Sequence, residues 1–290
     1  MINCLKNHGQ LTRRPIFRSK LFCRKYIELM VLICIVLACS LSASVRNIAW
    51  ENELSLWQDV IKKSPIKFRG YHNLGSAYMK MGRYGLAIDQ YNMTLKINPD
   101  AERTHNNLGY IHYRMGDIDM AIREYMTALN LDSHNAEFHY NIAIAYDNKR
   151  LTKDAVRHYQ TAVRLQPQHY KALYNLGILY AKQGLLDQAL MKFKSSLNIK
   201  PAQPKALYNL GLVYEQLARS KELRVERNAK EKLINQAISA YQRALEIDPG
   251  FIHALERIKK LRAKQRKALS WIRPQSTRRQ NRNDIEKNTC

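Results

Sequence analysis

Five short segments recur at an unchanged spacing. YHNLGSAY (71–78), HNNLGYIH (105–112), HYNIAIAY (139–146), LYNLGILY (173–180) and LYNLGLVY (207–214) each begin 34 residues after the one before. The second half of each unit matches as well. An alanine stands at Ala87, Ala121, Ala155 and Ala189, with an aromatic residue four positions later at Tyr91, Tyr125, Tyr159 and Phe193. Pro99, Pro167 and Pro201 close their units, and Ser133 takes that place once. A fixed period of this length means a stack of like units, each burying its apolar face against its neighbours. With only 11 Gly and 8 Pro in 290 residues, collagen-like, low-complexity and turn-rich β structure are all excluded.

The pattern resembles the tetratricopeptide repeat, a helix–turn–helix unit with small residues, an alanine, an aromatic and a proline at fixed places. The physical roles agree with the residues. Gly75, Gly109, Ala143, Gly177 and Gly211 let the first helix approach the second, and the aromatics fill the space between them. Proline ends the second helix, because it lacks an N–H and disfavours α geometry before it. The fold expected is all-α, a right-handed superhelical solenoid with an N-terminal transmembrane helix.

The repeats are expected at 68–101, 102–135, 136–169, 170–203 and 204–251. The last carries a 14-residue insertion, because the alanine due at 223 arrives at Ala237. The insert, near ARSKELRVERNAKEK, is charged and has no Gly or Pro, so two helices lengthened by about two turns each are expected. It would serve as a docking finger or be a tolerated solvent-exposed extension. A solenoid needs caps. Residues 46–65 provide an orphan second helix with Trp57 in the aromatic slot. Residues 252–269 provide a closing helix whose Ile252, Leu255, Ile258 and Leu261 cover the last repeat. Residues 270–290 form a basic disordered tail.

Ahead of the repeats, LMVLICIVLACSLSASV (29–45) is 17 residues without charge. That is just long enough to cross a bilayer. Arg24 and Lys25 precede it and Trp50 follows, so the positive-inside rule puts the basic segment 1–28 in the cytoplasm and the repeats outside, in a periplasm or lumen. A signal anchor is the expected form. A cleaved signal peptide, a lipoprotein modified at Cys39 within Val36-Leu37-Ala38-Cys39, and a buried core helix are the other readings. The net charge of +24 bears on this layout. Residues 1–25 hold seven basic residues and no acid, and 259–290 hold eleven against two, so the ends carry 16 of the 24 charges. The hint of an anionic partner therefore applies to the tails. With the C-terminal tail outside the cytoplasm, nucleic acid is not an expected partner, and acidic polymer or lipid headgroups stay open.

Catalytic signatures are missing. There is no phosphate-binding G-x-x-x-x-G-K-[ST], no G-x-G-x-x-G, no H-E-x-x-H and no C-x-x-C. No cysteine lies between residues 40 and 289, which leaves no disulfide framework or zinc site in the repeats. The nine histidines are not clustered in sequence, and His105 and His112 fall in packing slots. The chain is expected not to be an enzyme and to need no cofactor or metal.

Binding is expected on the first helices, which line the concave face of such a stack. One slot holds Asn73, Asn107, Asn141, Asn175 and Asn209, an asparagine in every repeat. Each amide offers two donors and an acceptor, so a ladder of them suits the backbone of an extended peptide. It is similar to the asparagine ladder in the repeats of O-GlcNAc transferases. The competing reading is a local helix-stabilising role. The adjoining slot holds Tyr140, Tyr174 and Tyr208, either a strip for stacking and hydrogen bonding or packing between helices. Arg69, Arg103, Lys171 and Lys205, with Lys80, Arg114 and Lys182, would make the groove positive and favour an acidic partner, unless they form an ordinary solvated face. Co-chaperone repeats that clamp a terminal carboxylate use a related Lys/Asn/Arg set, but no full match is present.

The stretch VRNIAWENELSLWQDVIKKSPIKFRGYHNLG (45–75) resembles the junction between the last membrane helix and the repeats of O-mannosyltransferase-like transmembrane-and-repeat proteins. The polytopic catalytic part of those proteins has no counterpart here. Together these readings imply a membrane-anchored scaffold that binds an extended segment of a protein partner. An accessory, substrate-presenting subunit or truncated relative of a glycosyltransferase is the alternative. Partner identity and oligomeric state are not specified by the residues.

Overall fold

A computed structural model describes residues 29–41, 53–219 and 227–267. Expectations for 1–28, 42–52, 220–226 and 268–290 lie outside the described residues. Every regular element among the described residues is an α-helix. Contacts divide the chain into two compact units, 1–98 and 99–290.

The first unit holds α1 (29–41), α2 (Glu53–Lys63), α3 (Phe68–Lys80) and α4 (Tyr84–Ile97). The helix α2 packs on α3, and α3 pairs with α4 as a hairpin. The apolar helix α1 corrects the expected topology. Among the described residues no helix is long and apolar enough to cross a membrane. The transmembrane helix over 29–45, and the placement of the repeats across a bilayer that rested on it, are therefore not supported.

The second unit is a run of four hairpins and a closing helix. The hairpins are α5 (Glu102–Met115) with α6 (Ile118–Leu131), α7 (Ala136–Asn148) with α8 (Thr152–Leu165), α9 (Tyr170–Lys182) with α10 (Leu186–Ile199), and α11 (Pro204–Leu217) with α12 (Arg227–Ile247). Residues 252–267 form α13. The second helix of each hairpin then packs on the first helix of the next, through α6–α7, α8–α9 and α10–α11. The insertion lengthens one helix of its hairpin and not both. The helix α11 keeps 14 residues, whereas α12 has 21, two turns more than the other second helices.

The core of each hairpin holds a buried ring, laid against a bare glycine backbone in every hairpin but α7–α8, where Ala143 stands in that slot. A Cβ added at Gly109 would lie 2.7 Å from the Tyr125 ring, at Gly177 2.9 Å from Phe193, and at Gly211 2.5 Å from Tyr241. In the first unit the same contact joins Gly75 and Tyr91, at 2.8 Å. The rings of Tyr91, Tyr125, Tyr159, Phe193 and Tyr241 are at most 2% exposed. Burial of such a ring is the largest single apolar contribution a hairpin of this size makes.

Four hairpins share a left-handed turn residue, and in one of them that residue carries a side chain. One or two residues past the first helix the chain is left-handed at Gly82 (φ 73°), Gly116 (φ 88°) and Gly184 (φ 76°), and Arg150 holds that slot in the α7–α8 hairpin at φ 62°. A side chain there costs about 1–2 kcal/mol, partly offset because glycine loosens the unfolded chain. Arg150→Gly should therefore raise stability by about 0.5–1 kcal/mol, read as an increased urea midpoint. An unchanged or lowered midpoint would mean that the exposed guanidinium compensates the strain.

Candidate binding face

The first helices of the second unit carry Asn107 on α5, Asn141 on α7, Asn175 on α9 and Asn209 on α11, all half-buried. Asn73, also half-buried, sits on α3 of the first unit. Three of the amides reach back to the preceding hairpin. Asn141 Nδ2 donates to Asn106 Oδ1 at 3.0 Å, Asn175 Nδ2 to the Tyr159 hydroxyl at 3.1 Å, and Asn209 Nδ2 to the Tyr174 hydroxyl at 3.1 Å. Each bond ties neighbouring hairpins together and fixes the plane of its amide; Asn175 also bonds the Tyr140 hydroxyl, and the amides are half-buried.

The tyrosines one position earlier pack as well. Tyr140 lies 6.0 Å from the Tyr159 ring and 4.7 Å from His169. Tyr174 lies 5.9 Å from Phe193, and Tyr208 lies 5.5 Å from Tyr241 and 5.3 Å from Phe251. Each is half-buried. Burial raises the phenol of Tyr140 to about 12, which keeps it a neutral donor at any physiological pH.

The cations divide into two groups. Lys80 pairs with Glu53 at 2.8 Å and Lys182 with Asp147 at 3.8 Å. Arg103 lies 3.8 Å from Glu102, and Arg114 donates to the Tyr110 hydroxyl at 3.0 Å. Arg69, Lys171 and Lys205 are exposed. Lys171 also helps His169 hold the Glu137 carboxyl below its usual range; the bond from His169 is the larger cause. Such exposed pairs add little stability, but they lessen the positive character expected of this face.

Two features escaped the sequence reading. The first is a pair of histidines. His139 and His158 are 19 residues apart, on α7 and α8, with Nδ1 atoms 2.9 Å apart. His139 Nε2 faces the Ser133 carbonyl at 3.1 Å, which only accepts, so that nitrogen carries the proton. The neutral ring then accepts at Nδ1, and His158 Nδ1–H donates. One hairpin earlier the same two slots hold His105 and Glu124, bonded at 2.8 Å. A 19-residue interval between polar residues inside one repeat is the signal that finds both pairs. Among the described residues no group of three or more potential ligands could hold a metal ion.

The two pairs respond to acid in opposite senses. Burial first, then the charges of His139 and Arg157, pulls His158 down to about 4, and burial also lowers His139. Stability from this pair is fully present above the ordinary histidine value near 6.5. It falls as pH drops from there towards 4, because the unfolded chain takes the proton first. The bond to Glu124 raises His105 despite burial, so that contribution is full below 6.5 and fades as pH rises through the raised value. We expect the urea midpoint of the wild-type chain to fall more steeply between pH 6.5 and 4.5 than that of His158→Leu. Parallel curves would show that the pair stays solvated.

The second feature is Glu215 on α11, 4% exposed. Its carboxylate accepts from the Tyr241 hydroxyl at 2.7 Å and from Arg219 Nη2 at 2.8 Å, and lies 3.6 Å from Arg257 of α13. The equivalent positions in earlier repeats hold Met79, Tyr113, Asp147 and Ala181, so no pattern announced it.

Comparison with known proteins agrees with this architecture. Family models described as TPR repeat and tetratricopeptide repeat match residues 75–149 and 140–204. Among solved structures, YrrB, a TPR protein with an unusual peptide-binding site, is 21% identical with a TM-score of 0.54, over 70% of this chain and 97% of its own. MamA is 26% identical with a TM-score of 0.51, over 61% of this chain and 95% of its own. The Cut9–Hcn1 assembly gives 19% identity and a TM-score of 0.57, over 74% of this chain and 40% of the matched one. No curated protein sequence matches the chain, so the likenesses to O-mannosyltransferase-like proteins and to O-GlcNAc transferases are not supported beyond the repeat itself. The constant spacing of the first helices, the ring-against-glycine packing and these matches together show that the chain carries tetratricopeptide repeats.

Proposed function

We propose that the protein is an interaction scaffold that holds an extended polypeptide segment of a partner along the first-helix face of α5, α7, α9 and α11. The observation that carries this reading is the set of pinned amides. Asn141, Asn175 and Asn209 are already oriented by bonds to the preceding hairpin. A peptide backbone meeting their remaining polar atoms has little side-chain freedom to remove. The half-buried rings of Tyr140, Tyr174 and Tyr208 add stacking surface, and Lys171 and Lys205 favour an acidic segment. That YrrB, a relative in fold, has a peptide-binding site is consistent with this use of the face.

The test uses peptides selected from a random displayed library on the full chain. Asn141→Ala and Asn175→Ala should each weaken a selected peptide about tenfold, the equivalent of one lost hydrogen bond of ~1.4 kcal/mol. Each should also lower stability by about 0.5–1.5 kcal/mol through the lost inter-repeat bond, so melting is measured alongside. Unchanged affinity in both folded variants would refute the role of the amides.

A further inference from the structure

The closing helix α13 carries a one-sign stripe. Its buried face is Ala254, Ile258 and Leu261, which pack against the last repeat. On its open side Lys259, Lys260, Arg262, Lys264 and Arg266 are all exposed, with Glu256 the one acid in 252–267. Lys259, Arg262 and Arg266 follow one another at three- and four-residue steps, so they share a helix face about 4.5 and 6 Å apart along the axis. Among the described residues, none of the three has an ion-pair partner.

Register adds a second observation. Allowing for the insertion, Lys259 stands where the inner repeats have Gly177 and Gly211, and Arg262 where they have Tyr180 and Tyr214. In the inner repeats those residues are buried against other helices. The slot at Gly211 has no room for even a Cβ, so a lysine there keeps any further second helix from packing. A solenoid end needs a polar face to stay soluble, and mixed charges meet that need. Like charges at three- and four-residue spacing instead destabilise the helix. The sequence that follows, residues 268–290, continues the same sign with Arg273, Arg278, Arg279, Arg282 and Lys287 against Asp284 and Glu286.

We propose that the exposed face of α13 is a docking surface for the phosphodiester backbone of nucleic acid. Charge complementarity names the polyanion. A bilayer is the poorer occupant, because an interfacial helix must offer an apolar face, and that of α13 is committed to the repeat. Ile252 and Leu255, exposed at its first turn, are too little surface to insert. The case against nucleic acid rested on a membrane topology that the structure does not support. Binding through phosphates positions a chain without reading its sequence, so weak sequence preference and strong salt dependence follow.

The experiment is fluorescence anisotropy of the full chain with a labelled random-sequence duplex DNA across a salt series. The triple variant Lys259→Gln, Arg262→Gln, Arg266→Gln should weaken binding at least about tenfold and flatten the log–log salt slope by about 2 to 3. Arg262→Lys with Arg266→Lys should keep both. A control triple in the first unit, Lys62→Gln, Lys67→Gln, Lys96→Gln, removes the same charge from exposed sites and should leave both nearly unchanged. Equal loss in the two triples would reduce the effect to net charge and overturn the proposal. So would absence of DNA binding by the wild-type chain, or binding to phosphatidylserine vesicles in its place.

Discussion

Phe193→Ala should lower the stability of the second unit by about 3–5 kcal/mol. The ring is 1% exposed and rests on the bare backbone of Gly177, in contact with both helices of its hairpin. A glycine opposite has no side chain that could move into the space, so the cavity stays open and adds to the lost transfer energy. In a repeat array each hairpin is stabilised mainly by its neighbours. The damage should therefore be local, with hydrogen exchange faster in α9 and α10 first and in α5 and α6 last. Uniform acceleration through the unit would mean that it unfolds as one body.

The second large effect is at the other end of the unit. Glu215→Ala should cost about 2–3 kcal/mol, below the range for breaking a fully buried pair. The discount follows from geometry. Arg219 and Arg257 have side chains 57% and 34% exposed, so they return to water when the carboxylate goes. The group left stranded is the Tyr241 hydroxyl, on a ring that is fully buried. Glu215→Gln keeps an acceptor for that hydroxyl and should cost about 1 kcal/mol. Equal losses in the two variants would show that Tyr241 finds another acceptor. Because Arg257 belongs to α13, Glu215→Ala should also speed exchange in the closing helix.

The architecture was legible because the repeat writes each contact several times. Gly177 and Phe193 are 16 residues apart, as are Gly109 and Tyr125, and a helix–turn–helix of this length brings such pairs together. Features that occur once were not legible. The expected membrane helix rested on the length of an apolar run, and no helix among the described residues is long and apolar enough to cross a membrane. The insertion could have lengthened either helix by composition, and the helix bounds place the added turns in α12. Glu215 interrupts a slot that is otherwise Met, Tyr, Asp and Ala, so its buried network has no counterpart to align with.

The candidate face was legible as residues but not as interactions. The asparagine period predicted a ladder facing a ligand. What the structure shows is that Asn141, Asn175 and Asn209 link each hairpin to the one before. The partners fall in two slots, Asn106 and Tyr174 on first helices and Tyr159 on a second helix, and a single-slot reading does not pair them. The same holds for His139 and His158, whose proximity comes from two slots on different helices.

The most direct test of the scaffold reading is site-specific photocrosslinking of a library-selected peptide to the full chain. A photoreactive benzoylphenylalanine replaces Ile178, half-buried one turn beyond Asn175 on α9, or Lys194, exposed on the second helix α10. The account predicts efficient crosslinking from position 178, competed by unlabelled peptide, and little from position 194. Crosslinking from 194 and not from 178 would place the peptide on the second helices and contradict it.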